Sequence, residues 1–236
     1  YLGIESDLGK GAQSYRLIIE SVGVSIEGSD PAGLWYGALT FQQLVRSLNP
    51  GQPLPSMTIL DWPDFTHRGV MVDISRDRVP TMETLLSLVE LLSRLKFNQL
   101  QLYMEHTFAY AGHEKVWSHA SPFTAAEIRL LDDACHRRFI ELVPNQNSFG
   151  HMHRWLKHSP YDALAEVPEG IDHPFSSQKE PYGLCPTDPK SLRFIAELYD
   201  QLLPNFRSRR LNTGLDETID IGRGRSRDQW EARGKS

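Results

Sequence analysis

The sequence predicts an α/β fold in which a small α+β domain precedes a series of parallel strand–helix units. Three observations carry this. Period-two and helical-period apolar segments alternate from Arg68 onward, the helix-to-strand returns are short, and the long irregular segments, residues 105–123 and 144–187, both follow strands. Such alternation needs parallel pairing through right-handed crossovers. It collects irregular chain at the carboxyl ends of the strands, the face on which β/α barrels and open α/β sheets both build their sites. A full barrel needs eight strands in about 250 residues, whereas the pattern from Arg68 to the end supplies four.

The elements follow in order. Tyr15, Leu17 and Ile19 alternate with Arg16, Ile18 and Glu20 in a strand. A turn at Val22-Gly23-Val24 leads on, and Asp30-Pro31 opens a helix carrying Leu34, Ala38, Phe41, Leu44 and Val45. After the Pro-rich connector Pro50–Pro55, Met57–Leu60 and the turn Asp61-Trp62-Pro63-Asp64 lead into a different rhythm, so the domains divide as 1–60 and 61–236. Val70, Val72 and Ile74 make the first strand of the second domain, and Met82, Leu85, Leu86, Val89 and Leu92 its first helix. Residues 99–104 are the second strand, and Thr124 with Glu127 forms a capping box for a helix running to about Arg138. Residues 139–143 are the third strand, Asp188-Pro189 starts a further helix, and residues 211–215 are the fourth strand. Beyond Gly222 no strand or helix pattern is visible.

Composition narrows the function classes. The chain has 236 residues, 40% hydrophobic and 23% charged, with a net charge of −5 and a mean hydropathy of −0.40. No apolar run approaches the roughly 20 residues that span a bilayer, so a soluble protein without a membrane partner is expected. Basic residues are scattered apart from Arg207–Arg210 and Arg223, Arg225 and Arg227, which argues against a nucleic-acid partner. Cys135 and Cys185 read as buried thiols, not as a disulfide or metal pair. The chain opens at Tyr1 without a basic-then-apolar export signal, which favours the cytoplasm.

Chemistry concentrates at the strand ends. Asp216 and Glu217 are adjacent carboxylates after the fourth strand, and the other three strands end near Asp73 and Arg76, Glu105 and His106, and Asn145, Asn147 and His151. Carboxylates, an arginine and a histidine on one face suit a polyhydroxylated substrate and acid catalysis. The bland readings stand beside these. Arg76 could serve only a barrel-mouth ion pair with Asp73 or Asp77, and Asp73 reads as structural. His151 and His153 form an H-x-H, but no Glu or Cys set lies at zinc spacing, so no metal is expected. No Gly-rich phosphate loop follows a strand, and no cofactor is expected.

The segments His67–Arg76, Gly150-His151 and Gly214-Leu215-Asp216-Glu217 resemble, in order and spacing, the first, third and fourth strands of the family 20 glycoside hydrolases, the β-N-acetylhexosaminidases. Residues 30–37 are similar to the turn into a helix in the non-catalytic domain that precedes their barrel. The resemblance implies a (β/α)8 TIM barrel catalytic domain with the first four β/α units present. It also implies removal of β-linked terminal N-acetylhexosamine by substrate-assisted retaining catalysis. Glu217 would be the general acid/base, Asp216 would orient the substrate's 2-acetamido group, and Arg76 would grip hydroxyls. His151 would pair with an acid ending the second strand. Many members carry Asp-Asp there, whereas this chain reads Tyr103-Met104-Glu105-His106, which makes Glu105, shifted by one residue, the partner of His151. The aromatic residues that wall the family's sugar pocket come from later strands, which this chain does not contain. The alternatives are a catalytically incompetent fragment and a sugar-binding module of the same fold.

Overall fold

The computed structural model describes residues 1–5, 7–174 and 176–234. The chain divides into two compact units, residues 1–68 with 90–98, and residues 69–89 with 99–236.

In the first unit, strands β1 (Leu2–Ile4), β2 (Tyr15–Glu20), β3 (Gly23–Gly28) and β4 (Met57–Asp61) form a sheet of order β1-β3-β2-β4. β1 runs parallel to β3, and β2 is antiparallel to both β3 and β4. Helix α1 (Pro31–Ser47) starts as the Asp-Pro signal predicts: Asp30 extends into the N-cap and its carboxylate accepts from the Gly33 amide. α1 covers one sheet face through Tyr36 and Leu39, which meet Tyr15, Leu17, Ile19 and Ile26. The predicted alternation in β2 is real, since Tyr15, Leu17 and Ile19 are buried while Arg16 and Ile18 are only partly covered.

The second unit holds a parallel sheet of order β5-β6-β7, made of β5 (Gly69–Asp73), β6 (Gln99–Met104) and β7 (Glu141–Gln146). Its register places Asp73, Tyr103 and Asn145 in one row at the carboxyl end. Helix α2 (Met82–Arg94) is divided between the two units at Glu90, and the other helices of the second unit are α3 (Glu114–Trp117), α4 (Ala125–His136), α5 (His153–Leu156), α6 (Pro189–Leu202) and α7 (Arg227–Ala232). α4 carries the full predicted capping box between Thr124 and Glu127, and Asp188 caps α6. The fold class is therefore α/β, with part of a barrel-like parallel sheet.

Three expectations change. β7 begins at Glu141 because Phe139 takes a left-handed conformation (φ 57°) that closes α4, and it runs on through the polar Asn145 and Gln146. The predicted fourth strand is reduced to one parallel bridge, Asn212 to Asn145, with the Asn212 amide donating to the Pro144 carbonyl at 3.0 Å. Gly214 and Leu215 then turn the chain away at φ 72° and 45°. Beyond Gly222, where no pattern was visible, residues 227–232 form the short helix α7.

Candidate active site

The site is assembled from segments that leave the carboxyl ends of β5, β6 and β7, together with residues 212–217. Asp73 closes β5. One of its oxygens accepts from the Ser75 and Arg76 amides, and the other accepts from Arg76 Nε at 2.6 Å. The ion pair weighed for Arg76 is thus formed, and the half-exposed guanidinium also lies 5.1 Å from the centre of the Tyr103 ring.

Glu105 follows β6 and is held at both ends. Its amide donates to Ser75 Oγ at 2.7 Å, and its carbonyl accepts from Trp155 Nε1 at 2.7 Å and Gln146 Nε2 at 3.0 Å. Alternation along the strand puts Tyr103 on the face of Glu105. The Tyr103 hydroxyl donates to Glu105 Oε1 at 3.0 Å and accepts from Asn147 Nδ2 at 2.8 Å. Glu105 is 1% exposed. Burial pushes its carboxyl up to about 7, against the Tyr103 hydrogen bond and the Arg76 charge, which pull it down.

His151 is the hub. Its ring is buried beside Tyr182, with ring centres 5.2 Å apart. Nδ1 faces Glu105 Oε1 at 3.5 Å. Nε2 lies 2.8 Å from Glu217 Oε2 and 3.8 Å from Asp216 Oδ2. Asp216 and Glu217 are open to solvent, 55% and 47% exposed.

Gly214 explains how the acid pair reaches this place. A Cβ there would stand 2.0 Å from Asn147 Oδ1, and its φ of 72° is one that side chains rarely adopt. Only glycine lets the segment lie against the end of β7. Ser148 Oγ ties it down by donating to the Thr213 carbonyl at 2.6 Å.

All five expected residues, Arg76, Glu105, His151, Asp216 and Glu217, therefore belong to one connected set of contacts. Asn145 lies within β7, donating to Gln101 Oε1 at 3.3 Å and not to the acid pair. His106 is buried, with Nδ1 unpartnered. The basic tract is taken up locally, since Arg207 pairs with Asp132 and Asp133, and Arg210 with Glu141. Tyr103 and Tyr182 were missed. Tyr103 was within reach of strand alternation, whereas Tyr182 sits in an aperiodic loop.

Among the described residues, His151, Asp216 and Glu217 alone bring three potential metal-ligand atoms within 4.8 Å of one another, and His153 is not one of them. Within this trio Nε2 and Glu217 Oε2 are hydrogen-bonded at 2.8 Å, and Asp216 Oδ2 stands 3.8 Å from the same nitrogen. Chemically, the imidazole links a buried carboxyl to an exposed one, so Glu217 can take up and release a proton while its oxygen stays in place.

An α/β chain with a histidine-backed carboxylate pair at the carboxyl end of its parallel strands falls among the β/α-type catalytic domains. Residues 65–235 match the glycosyl hydrolase family 20 catalytic domain, and residues 2–62 match domain 2 of that family. The chain belongs to glycosyl hydrolase family 20. It is 27% identical over 227 residues to a beta-hexosaminidase of Akkermansia muciniphila, covering 86% of this chain and 45% of that protein. It is 25% identical over 213 residues to a lacto-N-biosidase of Bifidobacterium bifidum, covering 88% of this chain and 18% of that one. A crystal structure of a beta-N-acetylhexosaminidase superposes with a TM-score of 0.82 at 24% identity, over 99% of this chain and 54% of that one. The chain thus spans less than half the length of these two relatives. No described helix is long and apolar enough to cross a membrane.

Proposed function

We propose that the protein removes β-linked terminal N-acetylhexosamine by substrate-assisted retaining hydrolysis, with residues 61–236 as the first half of the catalytic barrel and residues 1–60 as a non-catalytic domain. The match of two separate family segments, 2–62 and 65–235, supports that division. The observation that carries the chemistry is the single imidazole nitrogen lying 2.8 Å from Glu217 and 3.8 Å from Asp216.

In the first step the Glu217 carboxyl gives its proton to the glycosidic oxygen as the C1–O bond breaks. The carbonyl oxygen of the substrate's own acetamido group forms the new bond to C1. Asp216, ionised, accepts the acetamido N–H and offsets the positive charge on the resulting oxazolinium ring. In the second step the Glu217 carboxylate takes a proton from water, which attacks C1 and reopens the ring with net retention. His151 Nε2 holds the Glu217 oxygen through both protonation states, and Glu105 holds the other side of the imidazole. Arg76, anchored through Nε on Asp73, directs the rest of its guanidinium at sugar hydroxyls.

The test compares a chromogenic N-acetyl-β-glucosaminide with the matched β-glucoside, which lacks the internal nucleophile. The N-acetylated substrate is expected to turn over far faster, and a thiazoline mimic of the cyclised intermediate to inhibit. Equal rates on the two substrates would overturn the mechanism. The half-exposure of both carboxylates favours a second reading for the 236-residue chain on its own, sugar binding without turnover. Tight thiazoline binding with no product release would select it.

A further inference from the structure

The His151–Glu217 contact joins two segments that both hold unfavourable backbone. Phe149 and His151 have φ of 64° and 55°, and Leu215 and Glu217 have φ of 45° and 50°. Non-glycine residues persist there only where the surroundings over-determine them. The surroundings include a crosspiece, residues 182–184. The Met152 amide donates to the Tyr182 carbonyl at 2.9 Å and the Leu184 amide to the Phe149 carbonyl at 2.7 Å, so backbone bonds flank His151 on both sides. Between them, Gly183 turns to the other segment. Its amide donates to Asp220 Oδ2 at 2.7 Å, and its carbonyl accepts from the Glu166 amide at 2.8 Å.

Asp220 lies three residues beyond Glu217, separated by a tight turn in which the Ile219 amide donates to the Glu217 carbonyl at 2.7 Å. It is fully buried, and its Oδ1 has no partner. A buried carboxylate oxygen without a donor is a poor way to gain stability. Its position is better explained by what Oδ2 grips. The fit is close, because a Cβ on Gly183 would stand 2.4 Å from Asp220 Oδ1.

We propose that Asp220 is a positioning residue that, through the Gly183 amide, holds the Glu217 segment in register with His151. The inference rests on the hydrolase reading for its kinetic consequence, though not for its structural one. The Gly183 amide needs only an acceptor oxygen at this place, and the side-chain oxygen of an asparagine supplies one in the same shape. Asp220→Asn should therefore keep the function that Asp220→Ala loses.

The experiment reads the ring nitrogens of His151 by ¹⁵N NMR in the wild type, Asp220→Asn and Asp220→Ala. The Nε2 resonance is expected to move in Asp220→Ala and to stay near the wild-type position in Asp220→Asn. Should Asp220→Ala fail to fold, Gly183→Ala displaces the same carboxylate by steric contact and is expected to move the same resonance. Unmoved His151 resonances in whichever of these folds would overturn the proposal, whatever the melting temperature does. In the full-length protein, Asp220→Ala is expected to lose up to roughly 10²-fold in kcat with KM little changed, the scale of an ångström-sized misplacement. The loss should be larger for a poor leaving group than for a good one. Equal losses on both, or Asp220→Asn as impaired as Asp220→Ala, would also overturn it. A wild type without turnover would sink the hydrolase reading and leave the ring shift to decide the role of Asp220.

Discussion

Glu105 and His151 are 1% and 2% exposed, whereas Asp216 and Glu217, joined to them within a few ångströms, are about half exposed. The buried end grows from β6 and β7, which pair along their full length, and each side of Glu105 is fixed by hydrogen bonds. The exposed end hangs on one bridge at Asn212 and is kept in place by a glycine contact, a serine bond and the Asp220 crosspiece. The lesson is a division of labour. Burial fixes the direction of the imidazole, and solvent access leaves the two carboxylates open to the substrate proposed for them. Changes at the exposed end should therefore appear in turnover, and changes at the buried end in stability and its pH dependence.

The largest effect belongs to Glu217→Gln. The amide still accepts from His151 but cannot donate a proton to a leaving group and then recover it. Turnover of a substrate with a poor leaving group should fall roughly 10²- to 10⁴-fold, and that of an activated aryl substrate less. Next, Asp216→Asn should reduce both substrates alike by roughly 10²-fold, the scale for losing one electrostatic stabiliser, because in the proposed mechanism the acetamido oxygen displaces every leaving group, activated or not. If the two variants show the same leaving-group dependence, the separate roles given to the two carboxylates fail.

A smaller effect tests where Arg76 belongs. Arg76→Lys keeps the charge but loses the fork that bonds Asp73 while facing outward, so KM should rise about 10-fold with the melting temperature unchanged. A fall in melting temperature with constant KM would instead make the Asp73 pair its whole purpose.

The two ends were also unequally legible in the sequence. Local signals carried the helix starts, since Asp30, Thr124 and Asp188 each act through a side chain on an amide two or three residues on. Strand alternation carried β2 and β5. Residues 211–215 did not form the expected strand, because the segment pairs only through the bridge to Asn145 and the backbone turns at Gly214. The five expected site residues were visible in the sequence because each follows a predicted strand end, although the strand expected before Asp216 and Glu217 is reduced to the bridge at Asn212. Their braces were not: Tyr182, Gly183 and Asp220 meet through an aperiodic loop, where no spacing in the sequence marks which residues will touch. α7 was missed for a related reason, since none of its residues is buried.

The smallest effect is the one that reads the buried end alone. Glu105 is pushed up by burial from its ordinary 4.5 to about 7. Between those values the folded protein keeps a proton that the unfolded chain releases, so the contribution of Glu105 to stability is full below about 4.5 and is lost as pH rises through about 7. His106 and His153, pushed down by burial to about 4, act in the opposite sense: their contribution is present above 6.5 and is lost as pH falls through about 4. The raw pH profile of the melting temperature mixes the two trends. The difference between Glu105→Gln and wild type removes the histidines, because they are common to both. That difference should shift steadily in favour of Glu105→Gln from about pH 4.5 to about pH 7 and be flat on either side. A difference independent of pH would mean that Glu105 enters the fold ionised, with its charge compensated by His151 and Arg76. The buried end would then be held by charge pairing and not by a retained proton.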